Sequence, residues 1–336
     1  MKTPLFFILT LAATLTPACA TPSPTAHQMY AAVAMTKAQK NSSTPTDSGI
    51  YLRQADGSWT TFGPRVLGIY SIAEQPGSKG HVLLVACSDG VLRSTDAGKT
   101  WRLTTGWDVI DVRTFAFNPA NPNEVYVSTC WGPLRSVDGG ANWKHAQAGL
   151  NLLFAQSIVA DSQTPGRVLL GTEDGIYLST DGAKTWARTD SPPATALRLV
   201  QSTLNPNILL AGTQGRGAWI SRDAGISWGP VDATTAEANL YAVAIDTNDA
   251  ARMAIGGWGV GVRVSVDGGR TWADRSTGLP VKNVFVLAFD PDVSGRLWAS
   301  TFEEGSFFSD DHGLTWQDGG LYGAYGYDFV FVPSQP

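Results

Sequence analysis

Ser94-Thr95-Asp96-Ala97-Gly98-Lys99-Thr100-Trp101 is the stretch whose return along the chain decides the fold. The same order (Ser, any, Asp, any, Gly, any, Thr or Ser, Trp) starts again at Ser136, Ser179, Ser221, Ser265 and Ser309. With Trp59 ahead of the first copy, Trp59, Trp101, Trp143, Trp186, Trp228, Trp272 and Trp316 follow one another at gaps of 42, 42, 43, 42, 44 and 44 residues. A near-constant period of this length marks a repeated supersecondary unit that buries its apolar faces only against its neighbours.

Each position of the motif has a reason in the physics of a β-hairpin. The Asp carboxylate can accept hydrogen bonds from turn N–H groups, and Gly takes φ > 0 where a β-carbon would clash. The Ser and Thr hydroxyls are expected to tie the two strand ends together. The indole is expected between adjacent sheets, where it would supply most of the buried apolar area. Two copies depart from the pattern: Ala183 stands in the Gly position and Asn142 in the Thr or Ser position. Around Trp59 the motif shrinks by one residue to Arg53-Gln-Ala-Asp56-Gly57-Ser58-Trp59, which keeps a turn and an indole.

Four short strands fit each repeat. In one unit they are Thr114–Asn118, Glu124–Thr129, Leu134–Ser136 and Trp143–His145, and the register returns at Val286–Asp290, Arg296–Thr301 and Ser306–Ser309. Short apolar runs closed by Asn-Pro or Asp-Pro turns suit sheets covered on both sides. Six such units run from about Val66 to Asp318, leaving Met29–Val33 and Gly49–Trp59 at one end and Tyr327–Val332 at the other. The expectation is an all-β, seven-bladed β-propeller with four-stranded antiparallel blades, its closing blade shared by N- and C-terminal strands, which pairs otherwise open sheet edges and closes the ring.

At these residues the motif resembles the Asp-box, or bacterial neuraminidase repeat, of β-propeller proteins, and the likeness spans roughly residues 28 to 333. It implies that Asp96, Asp138, Asp181, Asp223, Asp267 and Asp311 are structural rather than catalytic. Among families sharing the box, a sialidase would need three Arg on a substrate carboxylate, and only Arg113 and Arg216 are expected on the relevant face. Xyloglucan-active glucanases resemble the chain in box and blade number but set one catalytic Asp from each of two rings across a cleft. The chain looks most similar to the photosystem II assembly-factor type and to exported bacterial Asp-box proteins, which implies a module that binds a protein partner or a cell-surface glycan. The alternative is a glycoside hydrolase or lyase acting on extracellular polysaccharide.

Composition bounds the rest. The 336 residues are 43% apolar and 16% charged with net charge −5, and loss of Lys2 with a leader would make it −6. No basic patch is evident, which argues against nucleic acid as a partner. Residues 1–20 carry Lys2, an apolar run from Leu5 to Leu15 and Ala18-Cys19-Ala20, the pattern of a signal peptide. The run is too short to span a membrane. Export, periplasmic or secreted, is expected; Ala18-Cys19 followed by a Pro/Thr-rich tether over residues 21–27 also allows lipid anchoring through Cys19. Residues 28–336 then form a single propeller, expected to be monomeric. An oxidising compartment permits a bridge between Cys87 and Cys130, whereas separate thiols follow if neighbouring blades hold them too far apart. No Cys or His spacing suggests a metal, and no cofactor is expected.

With the boxes on one face, loops joining second to third strands and loops joining blades fall on the other, where propellers usually place binding sites. They bring Asp89, Trp107, Asp108, Trp131, Glu173, Asp174, Gln214, Arg216, Trp258, Asn283, Phe302, Glu303, Glu304, Tyr322 and Tyr325 to that face. Arg113, Gln156, Tyr241, Phe285 and Tyr327, at the starts of inner strands, should ring the channel mouth. Trp107, Arg113, Trp131, Glu173, Arg216, Tyr241, Trp258, Phe302 and Glu303 are the binding candidates, because aromatic faces stack on sugar rings and polar groups bind hydroxyls. Trp131 and Trp258, each beside a Gly, could instead pack against the next blade. Glu173 or Asp174 with Glu303 or Glu304 could supply the two acids of a hydrolase, which must stand roughly 5–10 Å apart.

Overall fold

The computed structural model describes residues 27–35, 47–66 and 68–334. Within them the chain forms seven four-stranded antiparallel sheets around a central channel. The leader, Cys19 and all but the last residue of the tether lie outside the described residues; residue 27 already belongs to the first strand.

Blade 1 contains both ends of the described chain. Its inner strand is C-terminal, Ala324–Pro333, and its outer three are His27–Met35, Gly49–Arg53 and Trp59–Phe62. The inner strand pairs with His27–Met35 from His27↔Pro333 to Met35↔Ala324. Blades 2 to 7 follow in chain order with inner strands Ile69–Glu74, Val112–Asn118, Ala155–Ala160, Ala196–Gln201, Ala242–Ile245 and Val284–Phe289, each touching its neighbours so that the ring closes. A single short 3₁₀ turn, Ala233–Thr235, is the one helical element among the described residues.

The second strands form the core. Leu83–Cys87, Val168–Thr172, Leu209–Thr213, Met253–Gly257 and Leu297–Thr301 are buried at every residue, because each is covered by a sheet on both sides. Between blades 4 and 5, for example, Leu169 and Ile176 pack against Leu199, Leu209 and Ala211. This corrects the expected role of the indoles. Only Trp186 and Trp228 of the seven are buried, and aliphatic side chains fill most of each interface. The indoles act at the outer margin. Trp59, Trp143, Trp186 and Trp316 donate Nε1–H to Gly319 O, Thr104 Oγ1, Ala146 O and Arg275 O of the preceding repeat. Trp101, Trp228 and Trp272 donate to the glycine carbonyl of their own turn.

The motif works through its carboxylate. Asp96 accepts the Ser94 hydroxyl at 2.8 Å and the Thr100 N–H at 2.9 Å on Oδ1, and the Thr100 hydroxyl at 2.6 Å on Oδ2. Ser94 Oγ accepts the Gly98 N–H at 2.9 Å. The hydroxyls thus converge on Asp rather than joining the strand ends directly. Asn142 serves as well as Thr, its Nδ2 reaching Asp138 Oδ2 at 2.7 Å. Two consecutive residues, not one, take positive φ: Ala97 at 60° and Gly98 at 82°. Ala183 holds φ 60° in the Gly position, a strained conformation for an L-residue that the surrounding bonds maintain.

Deleting residues 327–336 removes most of the inner strand of blade 1 and reopens the ring. The shortened chain is expected to lose its cooperative thermal transition by circular dichroism; an unchanged melting curve would exclude the closure. The carboxylates set a pH limit as well. The Thr100 hydroxyl, then its N–H and the Ser94 hydroxyl, hold Asp96 down to about 2, and Asp311 is held to about 2 by the matching donors. A depressed folded pKa contributes stability above the unfolded value, about 4, that is lost as pH falls through the folded one. Tryptophan fluorescence should therefore report unfolding between about pH 4 and 2, with a smaller loss over that window in Asp96→Asn, which has no proton to take up.

Candidate functional site

A local irregularity builds the channel mouth. The inner strands of blades 1 to 5 and 7 each carry a β-bulge near the end opposite the motif turns, at Tyr327, Tyr70, Arg113-Thr114, Gln156, Leu197 and Phe285. A bulge leaves a residue outside the ladder and re-aims its side chain. All of these residues line one cavity of about 270 Å³ at the channel, together with Arg198, Tyr241, Tyr325 and Gly326. Arg113, Gln156, Tyr241, Phe285 and Tyr327, placed there by register, are brought together. Tyr70, Thr114, Leu197, Arg198 and Gly326 join them without having been expected there. Tyr70 follows the first buried residue of its strand, Ile69, as Gln156 follows Ala155, so the same register finds it. Arg198 lies one residue past its bulge and has no such signal.

The cavity has two unlike walls. Blades 6, 7, 1 and 2 supply a continuous aromatic arc. Tyr241 stacks on Phe285 at 5.0 Å with the rings 22° apart. Phe285 meets Tyr325 at 5.0 Å, Tyr325 meets Tyr327 at 5.1 Å, and Tyr327 meets Tyr70 at 4.8 Å. Trp258 and Phe302 extend the arc outward, 5.3 Å from one another and each against Phe285. Trp258 is 49% exposed, so it covers the arc without being sealed by a neighbouring blade. Blades 3 to 5 supply the polar wall: Arg113, Thr114, Gln156 and Arg198.

Arg113 ends the arc with its guanidinium 4.1 Å from the centre of the Tyr70 ring. Asp111 lies 3.8 Å from its Nη2, beyond hydrogen-bond reach, and accepts the Tyr70 hydroxyl at 2.8 Å instead. The Arg113 Nε is buried with no acceptor. Burial first, then the hydrogen bond with Tyr325, pushes the Tyr327 phenol well above its ordinary range, and burial raises Tyr70 too. Both stay neutral donors at physiological pH.

One residue further along the strand, Asp328 crosses the channel. Its Oδ1 meets Arg198 Nη2 of blade 5 at 2.5 Å, and its Oδ2 accepts the Ser71 hydroxyl of blade 2 at 2.6 Å. Blades 1 and 5 are three apart, the greatest separation in a ring of seven, so this pair braces the channel beneath the cavity.

The remaining candidates stand elsewhere. Trp107, 92% exposed, and Trp131, 54% exposed, rise from the rim of blades 2 and 3; Trp131 is not packed into the next blade. Arg216 is exposed in the blade 5 loop, outside the cavity. Glu173 and Asp174 belong to blade 4, Glu303 and Glu304 to blade 7, again three blades apart, and none lines the cavity. Asp174 is engaged by the hydroxyls of Thr172 at 2.7 Å and Tyr177 at 2.9 Å. The structure does not gather these acids as a pair. Cys87 and Cys130 are free thiols, which corrects the possible bridge: the Cys87 thiol donates within its own hairpin to Gly90 O, while Cys130 turns to Ile110 O. No group of three or more His, Cys, Asp or Glu among the described residues could hold a metal ion.

No known protein-family profile matches the chain, and no curated protein sequence matches it. Solved structures do. The Niastella koreensis GH74 enzyme superposes with a TM-score of 0.70 at 19% identity, over 80% of this chain and 50% of that one. The GH74 xyloglucanase from Xanthomonas campestris gives 0.65 at 18%, over 87% and 53%. The chain thus spans about half the length of the GH74 enzymes it matches. YCF48 bound to D1 peptide gives 0.55 at 19%, over 76% of this chain and 87% of that one. At such identities the likeness establishes the seven-bladed fold.

The thiol assignment is directly measurable. In protein beginning at residue 21, Ellman's reagent should find one slowly reacting thiol in the native state, Cys130, and two after unfolding without reductant. No thiol in the unfolded protein would show that the bridge exists.

Proposed function

We propose that the chain is an exported Asp-box propeller serving as a binding module, which takes a protein partner or a cell-surface glycan on the face opposite the boxes. The observation that carries this reading is the aromatic arc from Tyr241 to Tyr70 at the mouth of the channel, flanked by the half-exposed Trp258. Apolar ring faces held open to solvent beside a few polar groups are the usual composition of a ligand site. They are preorganised: each ring is held by its neighbours, so little side-chain entropy is lost on binding. Neighbours in fold fit both partner classes, one structure being of a xyloglucanase and another of a protein bound to a peptide. Hydrolysis is less well supported, because the candidate carboxylates stand on opposite sides of the ring. The leader-like residues 1–20 support export, with anchoring through Cys19 as the variant form.

A glycan array, a pull-down from periplasmic or culture extract and a reducing-end assay on polysaccharides test the proposal together. Retention of a glycan or a protein is expected. Trp258→Ala should weaken it by about tenfold, the effect of losing about 1–2 kcal/mol at an exposed aromatic anchor, with the melting temperature held. Reducing-end release that Glu173→Gln or Glu303→Gln abolishes would overturn binding in favour of hydrolysis.

A further inference from the structure

We infer that the channel-mouth cavity binds the end of an acidic glycan, seating one carboxylated sugar residue with its ring against the aromatic wall and its carboxylate toward Arg113. This deepens the binding reading above and rests on it. The two walls call for a ligand with two unlike sides. A uronic acid has them: an apolar C–H face for Tyr241, Phe285 and Tyr325, and a planar anion on its edge.

Arg113 is prepared for that anion. Its stack on Tyr70 fixes the plane of the guanidinium, and no acceptor among the described residues takes its Nε–H. The Nε is sealed from the cavity, so a ligand meets the Nη groups of this part-exposed side chain, where the nearest carboxylate, Asp111, stands 3.8 Å from Nη2 and is engaged by the Tyr70 hydroxyl. The planar fork of donors fits a carboxylate better than it fits a hydroxyl. Arg198, by contrast, is already committed to Asp328 and serves as floor.

That floor sets the mode of entry. The Arg198–Asp328 pair braces the channel under the ring of bulged residues, so a polymer cannot thread through and reaches the cavity by a terminus. The volume agrees: about 270 Å³ falls just below the roughly 300–1,000 Å³ of drug-sized sites. It suits one sugar residue rather than a run of them.

Calorimetry on the folded chain tests this with disaccharides and hexasaccharides of galacturonate, glucuronate and mannuronate, each as free acid and as methyl ester. One free acid should bind at least about tenfold tighter than its ester, the difference a charge-assisted contact makes. Arg113→Gln should weaken the free acid far more than the ester and so erase that difference, and affinity per chain should not rise from disaccharide to hexasaccharide. Equal binding of acid and ester, or equal weakening of both by Arg113→Gln, overturns carboxylate recognition while glycan binding stands. Affinity that climbs with length overturns end-on entry. If no uronate binds and a protein is captured at the same face, or a short peptide with a free C-terminal carboxylate binds tighter than every uronate, the sugar assignment fails and the binding module survives. Should Arg113→Gln also lower the melting temperature, the acid-against-ester comparison on the unaltered chain decides alone.

Discussion

Pairing of the C-terminal strand with the first one is the constraint on which the rest depends. Without that strand blade 1 would keep only three, and the inner strands of blades 2 and 7 would lose the one that packs between them. Blade 1 takes Ala324–Pro333 as its inner strand, against His27–Met35, and the ring closes through it. The same strand delivers Tyr325 and Tyr327 to the aromatic arc and Asp328 to the cross-channel pair. Closure of the ring and construction of the site are therefore one event.

The two faces of the ring are made by opposite means. On the motif face, a carboxylate that collects several donors holds two consecutive residues in positive φ and stiffens the third-to-fourth-strand turns of blades 2 to 7 alike, while the shorter turn of blade 1 has Gly57 alone in positive φ. That chemistry is local, repeated and used up internally, which leaves those acids nothing to offer a ligand. On the other face, one bulge per inner strand in six of the blades breaks the ladder and turns a side chain into the channel. Blades 7, 1 and 2 deliver Phe285, Tyr327 and Tyr70, and blades 3 and 4 deliver Arg113 and Gln156, so similar backbone irregularities produce a cavity with an aromatic half and a polar half.

Side-chain hydroxyls also stitch blade to blade near the channel. Thr114 Oγ1 accepts the Ile158 N–H, Ser157 Oγ accepts the Leu199 N–H, and Ser300 Oγ accepts the Gly326 N–H. Bulged inner strands have backbone groups that the ladder does not satisfy, and these hydroxyls meet the need from the neighbouring sheet. These bonds join neighbouring blades beside the cavity, where the regular pairing is interrupted.

The sequence by itself determined the architecture, because a turn of seven or eight residues with Asp and Trp at set places, and Gly in nearly every copy, is a local object that each repeat specifies alone. Periodicity then counted the blades, and leftover strands at both ends pointed to the shared one. Register also placed Arg113, Gln156, Tyr241, Phe285 and Tyr327 at the channel, since position along a strand fixes which end of the ring a residue occupies. What only the tertiary structure decided depends on pairs distant in sequence. The span from Arg198 to Asp328 joins residues 130 positions apart. The placing of Glu173 and Glu303 on opposite sides, and the separate surroundings of Cys87 and Cys130, follow from how blades are arranged around an axis. No local pattern encodes that arrangement, because it is set by the packing of sheet on sheet and the closing of the ring.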